Sequence, residues 1–481
     1  MKPLRNLCIL FTAVVTLFWF APNAWAFCGF YVARADTSLY NRASQVAIAR
    51  DGNRTVLTMA NDYQGEVADF AMVIPVPTVI QADQVNVANP GIMERLDGFS
   101  APRLVEYFDE DPCRYLYLYE SRGSAGIVSE DRAEAGVNRG DDALGVAIEA
   151  QFTVGEYDIV ILSAEESSGL ETWLRQNDYR IPMGANEVLQ PYIRQGMKFF
   201  VARVNLGEFD RSGFQNLRPI QIAYESPRFM LPIRLGMVNA ETEQDLIVYL
   251  MTPNGEAELT NYRTVEVPSN EQIPLFIKDE FGNFYNTMFQ RSYEQAGRNV
   301  AFLEYAWDMR GCDPCAADPL NYDELRQAGV FWISPQTDTN VFVTRLHVRY
   351  TRDKFPEDLI FQTTNNRRFF QGRYVLNHPF TGNAKCNERF EEIIGNAGYG
   401  EPSAANIEYL EEQWANDNLR QLIRDEYFHY VEEVLPNRFE QESQNLARLT
   451  GWDINDIRYR ITEEVPQPHI SFWRSRYPAR N

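Results

Sequence analysis

A tight β-hairpin is predicted by Gln45-Val-Ala-Ile-Ala-Arg50 and Arg54-Thr-Val-Leu-Thr-Met-Ala60, which flank the turn Asp51-Gly52-Asn53. Both runs are rich in β-branched residues, which favour extended strands. The Asp-Gly pair supplies the positive φ angle that such a turn needs. The proline-closed run Phe70-Ala-Met-Val-Ile-Pro-Val-Pro77 predicts a further strand. The N-terminal part of the chain is therefore expected to consist of strands.

The first 26 residues have the three parts of a secretory signal peptide. Lys2 and Arg5 precede the apolar run 7–20, and Ala24-Trp-Ala26 offers the small residues of a cleavage site. An uncleaved membrane anchor would need about 20 apolar residues, and a proline ends this run too early. We expect cleavage before Phe27 and export to the periplasm or the extracellular space.

The charge of the chain argues against a nucleic-acid partner. The formal net charge is -22, and removal of Lys2 and Arg5 with the signal peptide makes it -24. Phosphate binding requires a basic surface, so nucleic acid would be repelled. Acidity of this kind is typical of a protein that charge repulsion keeps in solution. After the signal peptide no run is apolar and long enough to predict a membrane span.

The length of 481 residues exceeds what one hydrophobic core usually serves. We predict an α+β fold with mixed, mainly antiparallel sheets and a helical C-terminal subdomain. The predicted units are a signal peptide at 1–26, a β-rich unit with a polar connector at 27–142, an α+β unit at 143–265, a mixed α+β unit with a Cys-x-x-Cys motif at 266–385, and the helical subdomain at 386–481.

The second unit alternates strands and helices. Tyr157-Asp-Ile-Val-Ile-Leu-Ser163 predicts a buried strand, and Ser168-Gly-Leu-Glu171 has the spacing of a capping box at a helix start. A second short helix at 188–195 and a strand at 197–204 follow. This order predicts a strand-helix-helix-strand unit.

Later patterns predict further strands. The runs 219–224 and 228–236 are expected to pair as a hairpin, and Phe229-Met-Leu-Pro232 is similar to Phe70-Ala-Met-Val-Ile-Pro75. Polar and apolar residues alternate in Val341-Phe-Val-Thr-Arg-Leu-His-Val-Arg-Tyr350, which is typical of a strand.

The C-terminal part has helical periodicity. Apolar residues between Leu419 and Leu435 follow three-four spacing on one face, and Pro436 is predicted to end that helix. Gly451 is predicted to cap the next one. The tail 471–480 is basic and aromatic in an acidic protein, so we expect it to dock on an acidic protein partner or on the chain itself.

Five cysteines remain after signal cleavage, an odd number that leaves at least one unpaired in a monomer. Exported proteins use cysteine mainly for structural disulfides, but spacing does not give the pairing. A zinc site is disfavoured because one Cys-x-x-Cys supplies two ligands and no second pair follows. We expect no metal and no cofactor. The candidate disulfide or redox residues are Cys28, Cys113, Cys312, Cys315 and Cys386.

Cys312-Asp-Pro-Cys315 is the motif with the clearest redox chemistry. A helix N-terminus can lower the pKa of one thiol in such a motif and activate it. Pro319 is expected to interrupt that helix, so a structural disulfide is favoured and a thiol-disulfide oxidoreductase is the alternative. A hydrolase with a carboxylate pair is a third class. The histidines are scattered and predict ordinary core or surface positions: His347, His378, His429 and His469.

Several uncommon strings resemble an exported bacterial family known as domain of unknown function 2330. They include Cys28-Gly-Phe-Tyr-Val-Ala-Arg-Ala-Asp36, Met72-Val-Ile-Pro-Val-Pro77, Phe229-Met-Leu-Pro-Ile-Arg-Leu-Gly236, Trp307-Asp-Met-Arg-Gly-Cys-Asp-Pro-Cys315 and Phe355-Pro-Glu-Asp-Leu-Ile-Phe361. The resemblance extends from Cys28 to about Gly382. This family has no assigned activity, so the resemblance implies no catalytic or binding residue. We predict a non-catalytic envelope or binding protein.

Overall fold

The structure is a computed structural model that describes residues 43–60, 71–110, 112, 146–177, 185–212, 217–237, 243–311, 317–336, 340–381 and 429–466. Strands and helices combine in an α+β fold, as predicted. Its sheets are mostly antiparallel, and the C-terminal region is helical, which confirms those expectations. Within the described ranges, no helix has both the length and the apolar character to cross a bilayer.

The strands are β1 Ala43–Asp51, β2 Arg54–Met59, β3 Ala71–Val76, β4 Val85–Val87, β5 Arg103–Phe108, β6 Val146–Val154, β7 Tyr157–Ala164, β8 Lys198–Val204, β9 Ile220–Glu225, β10 Met230–Leu231, β11 Gln244–Thr252, β12 Ala257–Leu259, β13 Arg263–Glu266, β14 Glu271–Gln272, β15 Val300–Asp308, β16 Phe342–Tyr350, β17 Leu359–Thr363, β18 Phe370–Gln371 and β19 Arg373–His378. The α-helices are α1 Gly91–Ser100, α2 Ser167–Gln176, α3 Ala185–Arg194, α4 Leu206–Ser212, α5 Phe281–Gln295, α6 Tyr322–Gln327, α7 Leu435–Thr450 and α8 Ile454–Glu464.

A large mixed sheet forms the centre of the fold. Its strand order is β13-β15-β16-β11-β1-β2-β9-β4, and β18 adds to β15. The predicted hairpin is confirmed, because β1 and β2 pair antiparallel around Gly52, whose φ is 55°. On its other side β1 runs parallel to β11. The N-terminal hairpin therefore lies in the middle of the sheet.

The fold has four layers, and the large sheet is one of the two inner layers. Alternate residues of β1 point to opposite faces, so Ala47 and Ala49 join one core while Val46 and Ile48 join another. The first core packs under α1, α5, α7 and α8. The second lies between the large sheet and the four-stranded sheet β3-β8-β7-β6, whose far face packs on α2 and α3. The layers are therefore helix, sheet, sheet and helix.

The predicted strand-helix-helix-strand unit is present as β7, α2, α3 and β8. The capping box predicted within it is wrong, because α2 begins at Ser167 and its N-cap is Glu166, with no side-chain cap bond. Ser168 therefore lies inside the first turn. Its hydroxyl donates instead to the Glu166 carboxylate, at 3.3 Å.

The hairpin predicted from 219–224 and 228–236 is also wrong. β9 belongs to the large sheet, whereas the two-residue β10 pairs with β17 in the small sheet β10-β17-β12. Pro227 and Pro232 flank β10 and have no N–H to donate to a ladder, so the second run cannot continue the pairing of the first.

Pro436 lies near the start of a helix, not at the end of one, which corrects that prediction. A π-helical turn, Tyr430–Val434, leads directly into α7, and Pro436 is in the first turn of α7. Proline is tolerated in the first turn of an α-helix, where its missing N–H costs little. Gly451 caps α7 with φ of 80°, as predicted. Residues 419–428 and the tail lie outside the described residues.

The large sheet takes strands from three of the predicted units, the ranges 27–142, 143–265 and 266–385. The remaining small sheet, β14-β19-β5, is parallel and joins the first of these ranges to the third. The division into separate units stays a prediction.

Candidate functional site

A chain of ion pairs crosses the helix-covered face of the large sheet, where three strands meet. β16 contributes its cations, and the neighbouring strands β15 and β11 contribute carboxylates. We name it the ion-pair chain, and its members, in order of contact, are Asp97, Arg345, Glu304, His347, Asp245 and Arg349.

Glu304 is at the centre of the ion-pair chain and is fully buried. It lies at an irregularity in β15, where the register shifts between Leu303 and Tyr305, and this β-bulge redirects its side chain toward the helices. One carboxylate oxygen accepts from Tyr285 at 2.7 Å and contacts His347 Nδ1 at 2.9 Å. The other accepts from Arg345 Nε at 2.6 Å. Each oxygen of the carboxylate is thus used.

The positively charged neighbours of Glu304 keep its carboxyl group ionised. Burial would raise the pKa of Glu304, but Arg345 and His347 outweigh it and lower that pKa to about 2. The same contacts raise the pKa of His347, although burial alone would lower it. His347 Nε2 contacts Asp245 at 2.9 Å, and the Phe289 ring stacks on the imidazole at 3.8 Å.

The outer ends of the ion-pair chain are also paired. Arg349 donates two bonds of 2.8 Å to the two oxygens of Asp245, and Arg345 donates to Asp97 at 2.7 Å. Three carboxylates thus face two guanidinium groups and one imidazole. Because these charges satisfy one another under packed helices, the ion-pair chain is suited to fix strand positions and not to receive a substrate.

A half-open cleft lies elsewhere, where β3, β8, β9 and β10 come together. Its volume is about 170 Å³, and a cavity of roughly 150 Å³ admits a benzene ring. We name it the proline cleft, and it is lined by Pro75, Pro77, Gln195, Met197, Tyr224, Ser226, Pro227, Arg228, Met230 and Pro232.

The walls of the proline cleft come from segments that are far apart in sequence. Pro75 and Pro77 end the strand β3, and Pro232 follows β10. On another side, α3 ends at Arg194, and Gly196 turns the chain into β8 with φ of 71°, a conformation that favours glycine. Rigid proline rings and strand ends thus leave a preformed concave surface.

The loop after β9 is held in place by hydrogen bonds to Ser226. The Ser226 hydroxyl accepts from the Arg228 backbone N–H at 3.1 Å, and the Ser226 carbonyl accepts from Arg50 Nη2 at 2.9 Å. Arg50 also donates to the Thr55 hydroxyl at 2.7 Å. Burial raises the pKa of the neighbouring Tyr224 hydroxyl to about 12, although Arg50 opposes this shift.

The side chain of Arg228 lies at the exposed rim of the proline cleft. Its Nη1 donates to the amide oxygen of Gln195 at 2.6 Å. In the part of the chain that the structure describes, neither Arg228 nor Arg50 is in an ion pair with a carboxylate.

All candidate cysteines lie outside the described residues, so their pairing and reactivity stay predictions: Cys28, Cys113, Cys312, Cys315 and Cys386. Residues 317–321, which include Pro319, are not helical, and α6 begins at Tyr322 with Asn321 as its N-cap. In the described ranges, no group of three or more histidine, cysteine, aspartate and glutamate residues could hold a metal ion.

Residues 22–362 match a family described as uncharacterized proteins conserved in bacteria, DUF2330. The chain belongs to this family. The matched range contains the whole lining of the proline cleft and the whole ion-pair chain, whereas α7 and α8 lie beyond it. No curated protein matches the sequence.

A crystal structure of a mutated baculovirus P35 after caspase cleavage shows a weak likeness. It is 12% identical in sequence, and the match covers 46% of this chain and 74% of that one, with a TM-score of 0.24. A TM-score this low supports no inference about the fold or the function.

Sequence reasoning missed both clusters. It treated His347 as an ordinary histidine, and the structure places it in the core between two carboxylates. A signal was present, since Arg345, His347 and Arg349 have the same parity in one strand and so share a face. The strings at 70–75 and 229–232 are similar in sequence, but their positions along the chain do not indicate that they line one cleft.

Proposed function

We propose that this chain is an exported bacterial protein that binds a small ligand in the proline cleft and catalyses no reaction. One observation carries the proposal: the strings at 72–77 and 229–236, two of those that resemble the bacterial family, both contribute walls to the proline cleft. They are about 150 residues apart in the sequence, and the fold brings them to one concave surface. The lining combines proline and methionine side chains with several polar groups, and concave sites that offer both kinds of contact are typical ligand sites.

The chemistry of the lining supports binding and not catalysis. Its polar side chains are an amide, a phenol, a hydroxyl and a guanidinium. A serine nucleophile needs a neighbouring base, and the Ser226 hydroxyl instead accepts a bond from the Arg228 backbone. The Tyr224 phenol, with its raised pKa, keeps its proton at neutral pH. This lining offers positions for contact and none for proton transfer near pH 7.

Binding can be tested with methionine methyl groups as reporters. Met197 and Met230 line the proline cleft, whereas Met288 is buried in the core under the helices. In protein with ¹³C-labelled methionine methyls, titration with benzyl alcohol should shift the Met197 and Met230 signals and leave Met288 unchanged.

Two matched substitutions control this titration. Gln195→Trp fills the mouth of the proline cleft and should abolish the methyl shifts. Gln176→Trp makes the same change at an exposed position at the end of α2 and should preserve them. Benzyl alcohol that binds the Gln195→Trp variant as well as the unmodified protein would contradict the proposed site.

Export is the second part of the proposal, and the charged start, the apolar run and Ala24-Trp-Ala26 support it. Protein recovered from the envelope or the medium should begin at Phe27 on N-terminal sequencing. Recovery of an intact Met1 would contradict export by signal cleavage.

A structural role for Cys312 and Cys315 is the third part, and a thiol-disulfide oxidoreductase is the alternative. The non-helical stretch 317–321 supports the structural role, because an activating helix would have to continue through it. We expect no turnover in an insulin-reduction assay. Turnover that disappears when both cysteines are changed to serine would favour the oxidoreductase.

A further inference from the structure

The charge around the proline cleft is unusual for this chain. The protein has 67 acidic and 45 basic residues, so carboxylates are abundant. Among the described residues, the lining of the cleft nevertheless contains Arg228 and no acidic residue. A positive spot in an acidic protein attracts an anion, because the field of the groups nearest a cleft dominates inside it.

A second cation lies behind the cleft wall. Arg50 is only 5% exposed, and its described partners are the Thr55 hydroxyl, the Ser226 carbonyl and the Phe229 ring. Buried guanidinium groups are normally paired with carboxylates. Arg345 follows this rule through Glu304, whereas the described groups that contact Arg50 are neutral. An anion in the cleft would supply the missing negative charge.

The walls of the cleft select the rest of the ligand. Proline rings and the methionines Met197 and Met230 offer apolar surface, which favours an apolar body over a sugar or a free inorganic ion. The space of about 170 Å³ fits a body the size of one ring.

The geometry favours a carboxylate over a phosphate. A guanidinium has five N–H donors in a planar fork that matches a carboxylate, and the bond to Gln195 uses one of them. Phosphate sites typically use helix N-termini and several backbone N–H groups. At this cleft α3 presents its C-terminal end, whose partial negative charge disfavours a dianion.

We propose that the proline cleft binds small apolar carboxylic acids, with Arg228 holding the carboxylate and the proline and methionine side chains holding the apolar body. This inference rests on the proposed binding function and names its ligand class.

Benzoate and benzyl alcohol distinguish the two proposals, since they share a ring and differ in charge. In the methionine methyl titration, benzoate should bind at least about tenfold more tightly than benzyl alcohol, because hydrogen bonds to charged groups are the stronger ones. Arg228→Gln should bring the affinity for benzoate down to that for benzyl alcohol and leave the latter unchanged. Arg263→Gln removes an exposed arginine on β13, at the far edge of the large sheet, and should change neither affinity.

The possible outcomes distinguish a wrong ligand class from a wrong binding function. If benzyl alcohol shifts the cleft methyls and benzoate binds no more tightly, the ligand class is wrong and the binding function stands. If inorganic phosphate displaces benzoate at lower concentrations than benzoate itself binds, the anion is a phosphate and the proposal falls. If neither ring compound shifts the cleft methyls, both proposals fall.

Discussion

The ion-pair chain and the proline cleft both contain arginine, but the arginine partners are carboxylates in the first and neutral groups in the second. In the ion-pair chain, Arg345 is fully buried between Glu304 and Asp97, and every charge has a counter-charge. At the proline cleft, Arg228 and Arg50 contact neutral groups. Ion pairs among all six members hold the backbone of the ion-pair chain in one arrangement. At the proline cleft, the guanidinium groups contact neutral partners, so a negatively charged ligand can still form an ion pair there. The comparison thus separates a structural cluster from a binding site.

The largest effect is expected when the ion-pair chain is broken at its centre. Glu304→Gln leaves Arg345 and His347 in the core without their shared carboxylate. The free energy of unfolding should fall by about 3–5 kcal/mol, as measured by urea denaturation at pH 7. Glu440→Gln removes an exposed carboxylate that pairs with Arg458, and its effect on the free energy of unfolding should be far smaller, because solvent screens that pair. Equal losses in the two variants would mean that the ion-pair chain is not structural.

Acid should weaken the same cluster. The pKa of Glu304 is about 2 in the folded protein and 4.5 ordinarily, so its contribution is complete above pH 4.5 and is lost as the pH falls toward 2. We expect this group to account for a loss on the order of 3 kcal/mol over that range. Urea denaturation between pH 5 and 2 should show a shallower pH dependence in Glu304→Gln than in the unmodified protein. Parallel curves would contradict the assignment.

At Glu442 the pH dependence of the free energy of unfolding should have the opposite sign, and the effect of a substitution should be smaller. Burial raises the pKa of this carboxyl on α7 to about 8, and Arg438, 3.7 Å away, only partly offsets it. Its proton therefore stabilises the fold, and that stability is lost as the pH rises from 4.5 through 8. Glu442→Gln should increase the free energy of unfolding at pH 9 by about 1–3 kcal/mol. A gain that is equally large at pH 4 would exclude titration as its cause.

The smallest effect on stability is expected at the cleft. Arg228 is exposed, so Arg228→Gln should change the free energy of unfolding by less than about 0.5 kcal/mol, as measured by urea denaturation. The same variant should lose the preference for benzoate. A large loss of stability would show that Arg228 is structural, and the contrast with Arg345 would then disappear.

Local sequence predicted most single elements well. The hairpin around Gly52, the strands at 157–163 and 341–350, and the Gly451 cap were all correct, because each depends on residues close in sequence. Two errors were local, namely the capping box at Ser168 and the place of Pro436, which lies in the first turn of α7. The wrong pairing of β9 with β10 was decided by neighbours in space, because the two strands belong to different sheets.

The sequence by itself determined which runs become strands and helices, and its uncommon strings pointed to the family. Alternation in β16 also put Arg345, His347 and Arg349 on one face, but alternation is the same whether that face meets water or a core. Only the tertiary structure decided that helices cover it and that Glu304 and Asp245 meet its cations. The same holds for the proline cleft, since its walls are joined by contacts between strands about 150 residues apart, and periodicity encodes no such distance.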